Sequence, residues 1–181
     1  SSAQLQVLSS SQIRALTTMQ VASLTTGALN ALFNRFTTER IASLETAQIV
    51  ALSSTTLNNL TSTQLQSLST VGIAALNTTQ IANLSSKQLA TLLNSQVAAI
   101  ESQDLATLNS VQVKALRRDQ IQALTSSQIN KLSTQTLNSL SSRFINLLTR
   151  TQIQALNSFQ IASLTAAQLT DLSNDYFQNL N

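Results

Sequence analysis

The chain has 181 residues, of which 43% are apolar, 3% aromatic and 9% charged, with two Gly and no Pro, Cys, His or Trp. Its net charge of +3 rests on only ten basic and seven acidic residues, so the pI near 10 reflects scarce ionisable groups more than a nucleic-acid surface. The absence of Cys and His excludes disulfides, thiolate nucleophiles and imidazole ligands, and no apolar run approaches the roughly 18 residues of a membrane-spanning helix.

The first elements come in pairs: Leu5/Leu8, Ile13/Leu16, Val21/Leu24 and Leu29/Leu32, each pair eight residues after the last. One continuous helix cannot use this pattern. Eight residues at about 100° each carry an apolar stripe about 80° around the axis per repeat. A strand fails too, because positions i and i+3 point to opposite faces. Short helices succeed. In "LTTMQV" (16–21), Thr17 is placed to cap the amide of Gln20 while the Gln20 side chain returns to the amide of Thr17. That is the capping box, and Leu16 with Val21 forms its hydrophobic staple.

The stretch "LTTGALNALFNRFTTER" interrupts the register. Leu29, Leu32, Phe33 and Phe36 fall at i, i+3, i+4 and i+7, which predicts one longer, irregular helix over residues 25–36 and a four-residue phase shift. From Ile41 to Phe177 every eighth residue is Ile, Leu, Val or Phe, in eighteen consecutive octads. The partner three residues later is Leu in each except Ile100. The box recurs at Asn77…Gln80, Ser85…Gln88 and Thr125…Gln128, so every octad predicts its own helix of about six residues. The missing Gly has a cause: the residue after each Leu is the next N-cap, which sits in the β region and needs no left-handed turn.

One octad cannot fold alone. Two aliphatics and a cap do not offset the entropy of fixing eight backbones. The expected architecture is therefore an all-α solenoid of very short helices, with Ile/Leu pairs inside and Ser/Thr rows outside. The whole chain, 1–181, reads as one such solenoid and as a fragment of a longer array. The box Gln is replaced at Arg40, Gly72, Asp104 and Thr136, 32 residues apart, which predicts about four octads per superhelical turn.

"LSSSQIRALTTMQ", "LTSSQINKLSTQT" and "LNSFQIASLTAAQ" resemble the LTTxQIxAL octapeptide arrays of some very large bacterial proteins, many of them surface or secreted. The resemblance spans essentially the whole chain and implies an extended structural segment of bacterial origin, extracellular or at the cell surface. It carries no catalytic residue. The departures are Leu93, Glu101 and Arg117 at the cap position and the Phe-rich insertion.

Chemistry is sparse. Glu101 and Asp104 stand at N-cap and N3, where carboxylates favour a helix dipole, and Asp171 and Asp175 read the same way. Lys114, Arg117, Arg118, Lys131, Arg143 and Arg150 form the one candidate anion or partner contact. They lack aromatic interleaving for base stacking, which weighs against nucleic acid, and Glu101, Asp104 and Asp119 stand ready to pair with them across coils. The five Phe and the lone Tyr read as packing residues. No cofactor, metal site or catalytic group is expected. The expected partners are neighbouring repeats or copies of the chain, with protein or glycan as further candidates. The functional expectation is a non-enzymatic stalk, spacer or fibre segment. The alternatives are a module presenting a Ser/Thr/Gln face to glycan or protein, and an intracellular scaffold or ruler.

Overall fold

The computed structural model describes residues 7–170 and Leu172. Among them lie nineteen α-helices of four to seven residues with both bounds described, one 3-10 turn and further helical residues at 166–170, with no strand. The helices follow the octad, for example Thr78–Ala82, Ser86–Thr91 and Asn94–Ala99. Most stop one or two residues short of the second aliphatic, because the chain must already be turning toward the next cap. The caps are in the extended region, as at Thr17 (φ −74°, ψ 163°) and Thr125 (φ −74°, ψ 159°). No described residue has a positive φ, so the chain turns between helices without the left-handed residue that usually requires Gly.

Both aliphatics of each octad enter one continuous core. From Ile41/Leu44 to Ile145/Leu148 every such residue is at most 8% exposed. Helices three apart in sequence pack against each other, as Thr78–Ala82 does on Ser102–Leu105 and Asn94–Ala99 on Arg118–Ala123. Side chains at the start of a helix also reach the end of the helix four before it, as Gln80 does to Leu52. One superhelical turn thus takes between three and four octads. The rungs of Gln80 span 31 and 28 residues, close to the 32-residue spacing of the replaced Gln and to the expected four octads per turn.

In the irregular segment the α-helix Thr26–Leu32 runs directly into the 3-10 turn Phe33–Arg35. Phe33 and Phe36 take the places of an aliphatic pair, 0% and 4% exposed, with ring centroids 5.7 Å apart. Phe144 is also buried, whereas Phe159, expected to pack, is 80% exposed.

Candidate functional site: the Gln ladder between coils

A helix of five residues consists almost wholly of ends, and helix ends leave amides and carbonyls without intrahelical partners. The box Gln deals with both kinds. Its Oε1 accepts from the N-cap amide, as Gln80 Oε1 does from Asn77 at 2.8 Å and Gln128 Oε1 from Thr125 at 2.8 Å. Its Nε2 then points into the coil below. Gln80 Nε2 donates to the carbonyls of Ile49 and Leu52 at 3.0 and 2.7 Å. Gln120 donates to Leu89 and Leu92 at 2.9 and 2.7 Å, and Gln160 to Ile129 and Leu132 at 2.9 and 2.8 Å.

The pattern runs from Gln48, which reaches Val21, to Gln168, which reaches Leu137 and Leu140. Each amide therefore joins the amino end of one helix to the carboxyl end of another, so the two helix dipoles meet with opposite signs. These Gln are interior residues: Gln120 is 0% exposed and Gln96 1%. No buried side-chain nitrogen or oxygen among the described residues lacks a hydrogen-bond partner.

Where Gln is missing, other residues take over or the rung is absent. Arg40 donates to the Leu16 carbonyl and to Thr18 Oγ1, and Arg35 donates to the Leu8 carbonyl at 2.6 Å. Asn30 serves the octad of Thr56 from below. Its Oδ1 accepts from the Ser53 amide at 2.8 Å and from Thr56 Oγ1 at 2.6 Å, while its Nδ2 donates to the Ala51 carbonyl at 3.0 Å. Asp104 accepts from Thr78 Oγ1 at 2.5 Å. At Gly72 a Cβ would stand 3.6 Å from Ile49 Cγ1 and 3.3 Å from Ser69 Oγ. Thr136 Oγ1 accepts from Ser133 Oγ at 2.8 Å.

The basic residues do not gather into one site. Arg117 donates to the carbonyls of Ala90 and Leu92 in the coil below and pairs with Asp119 at 3.2 Å. That pair lies within one octad, not across coils. The hydrogen bond from Arg117 holds the Asp119 carboxyl below the usual range. Lys114 and Arg118 line one groove of about 400 Å³ with Leu116, Ile121, Ser141, Phe144 and Leu147. This is where Phe144 stands in place of a ladder Gln. Lys131 borders a second groove, with Ser126, Ser127, Asn130 and Ala155. Arg143 belongs to the helix Ser142–Ile145, and Arg150 opens the helix Arg150–Gln154. Asp171 and Asp175 lie outside the described residues. Among the described residues no His, Cys, Asp or Glu cluster could hold a metal ion. No helix among them is long and apolar enough to cross a membrane.

A family model described as the ALTTAQ repeat matches residues 1–32, 41–76 and 97–134, more than half of the chain. No curated protein matches it significantly.

Proposed function

The chain belongs to the ALTTAQ repeat family, and from that premise we propose that it is a structural spacer: a non-catalytic stalk or fibre segment of a larger bacterial protein, secreted or held at the cell surface. The supporting observation is the ladder itself. The interior octads that carry the box Gln spend its amide and both aliphatics on neighbouring coils, so their chemistry serves extension of the stack. An outward Ser/Thr/Gln face for glycan would need those amides in solvent, and Gln80, Gln96, Gln120 and Gln128 are at most 3% exposed. The remaining outward groups are hydroxyls and amides, many of them already engaged at caps, such as Thr125 Oγ1 with the Gln128 amide at 3.2 Å. The placement outside the cell rests on the likeness to large bacterial surface arrays.

Duplicating residues 97–128 tests this reading. A spacer accepts whole octads, so the duplicated chain should keep its helicity and lengthen by roughly one coil, about 8–10 Å, in small-angle scattering. Screening the parent chain on glycan arrays should give no hit. A defined glycan bound specifically by the chain would replace the spacer with a binding module.

A further inference from the structure

Between positions 48 and 168 the box Gln is replaced singly at Thr56, Gly72 and Asp104, but in two successive octads only at Thr136 and Phe144. A single gap is flanked by intact rungs. Around Gly72, Gln64 donates to the Asn34 carbonyl and Gln80 to that of Leu52. Around Asp104, Gln96 donates to Leu68 and Gln112 to Leu84. The double gap has no such support. Thr136 Oγ1 is engaged by Ser133 of its own octad, and Phe144 has no donor. By the 28-residue reach of Gln80, Gln96 and Gln120, these two positions stand over the carbonyls of Leu108 and Leu116. No hydrogen bond from a described residue reaches either carbonyl.

The result is a seam without polar links. Among the described residues no hydrogen bond or ion pair joins residues 133–148, more than half a coil, to the coil below. What holds them there is apolar packing, through Leu137, Leu140, Ile145 and Leu148, each at most 4% exposed. Two grooves open along the same seam. One, of about 210 Å³, has Asn109 and Ser110 on its lower wall and Gln135, Thr136 and Ser139 on its upper wall. The other, of about 400 Å³, sets Lys114, Leu116 and Arg118 below against Ser141, Phe144 and Leu147 above. No carboxylate on that upper wall answers the two cations. Intact rungs stand on either side, from Gln128 to Val97 and Ile100 and from Gln152 to Ile121 and Leu124.

We propose that this seam is a hinge: residues 133–148 part from residues 105–116 ahead of the fully laddered coil contacts, while the rungs of Gln128 and Gln152 hold on either side. Parting two laddered coils strips an interior amide and its carbonyls of their partners, which costs their full desolvation. At the seam only apolar contact is lost, and apolar contact is non-directional. The two grooves already bring solvent to both walls. Opening of this kind belongs to the low-stability end of a fold. In a stack whose coils touch only their neighbours, it leaves the coils above and below intact. The inference stands on the rungs and is independent of the spacer reading.

Hydrogen–deuterium exchange of the whole chain, read by mass spectrometry and corrected for intrinsic rates, tests it. The two walls, helices Ser110–Lys114 and Thr134–Ser139, should exchange together and at least about tenfold faster than the laddered helices Ser86–Thr91 and Asn94–Ala99. Thr136→Gln returns a donor over the Leu108 carbonyl, next to a Ser133 that already caps the amide of residue 136. It should slow both walls by about tenfold, the worth of one net hydrogen bond, and leave Ser86–Thr91 unchanged. Thr136→Met, of the same length but without a donor, should leave both walls fast. Walls that exchange no faster than the laddered helices overturn the proposal. So does fast exchange confined to Thr134–Ser139, which is fraying of one helix and no parting of coils. Equal slowing by Thr136→Gln and Thr136→Met also overturns it, since packing and not the missing rung would then set the opening.

Discussion

Gln20 and Gln120 occupy the same position of the same motif in two regions of the stack. Each accepts its cap amide at 2.8 Å, from Thr17 and from Arg117. Yet Gln20 lies in solvent at the first coil, and Gln120 is 0% exposed among middle coils, with Nε2 donating to Leu89 and Leu92. The difference separates two jobs that the sequence motif merges. The cap is local and survives at an open end. The rung to the lower coil exists only where there is a lower coil, and it is the rung that makes the side chain an interior group.

The largest effect should come from breaking a rung without touching its cap. Gln120→Glu keeps an Oε1 for the Arg117 amide but turns a carboxylate oxygen on two carbonyls in a closed space. A buried charge facing acceptors costs about 3–5 kcal/mol, measurable by urea denaturation at neutral pH. Burial raises the pKa of this Glu in the folded state above its unfolded value near 4.3. The penalty is therefore full above the folded pKa and is relieved as pH falls toward the unfolded one, where the protonated acid is neutral and able to donate. A loss that is the same at acidic and neutral pH would mean that the carboxylate does not face the carbonyls.

Next comes the apolar half of the same interface. Leu124 is 4% exposed in the continuous core, so Leu124→Ala should cost about 2–5 kcal/mol. Leu164 is itself 6% exposed but lies beside Ile161 at 45% and Leu169 at 43%, so Leu164→Ala should cost less because these partly exposed neighbours are freer to close the gap. Equal losses in the two variants would erase the difference between middle and end.

Much of this was legible before any coordinates. The i, i+3 aliphatic pair and S/T-x-x-Q fix helix starts, and their eight-residue repeat rules out long helices and strands. The rung was not, because the partner of Gln120 lies 28 and 31 residues away and depends on how many octads close a coil. One trace of it was present. A capping box accepts Glu as readily as Gln, yet no octad places Glu there. A side chain that must also donate fits the preference for Gln, in a chain with only seven acidic residues that places one of them, Asp104, at this position. Arg117 was read as a partner contact for the opposite reason: its charge was visible, while the carbonyls of Ala90 and Leu92 that engage it belong to a different coil. Asn30 escaped notice because it lies in the shifted segment, out of register with the Gln it stands in for.

The cap taken alone is worth less. Thr125 Oγ1 accepts from the Gln128 amide at 3.2 Å, and Thr125→Ala removes that bond while leaving Gln128 Nε2 on Val97 and Ile100. About 1 kcal/mol should be lost. A loss as large as that of Gln120→Glu, in the same denaturation series, would show that the rung depends on the hydroxyl to hold Gln128 in place.

The smallest effect closes the comparison. Gln20→Glu makes the same chemical change as Gln120→Glu, at the same box position, and should alter stability by no more than about 0.5 kcal/mol in dilute solution. The Thr17 amide keeps its acceptor, no carbonyl among the described residues takes the Gln20 amide, and solvent hydrates the new carboxylate at this exposed position. A negative charge in the first turn of the helix Thr18–Ala22 even favours the dipole slightly, so any shift should be toward greater stability and should fade with added salt. The measurement is a pair of denaturation curves for Gln20→Glu and Gln120→Glu side by side. Should Gln20→Glu prove as damaging as its interior counterpart, the cap and not the rung would carry the energy, and the distinction between the two regions would fall with it.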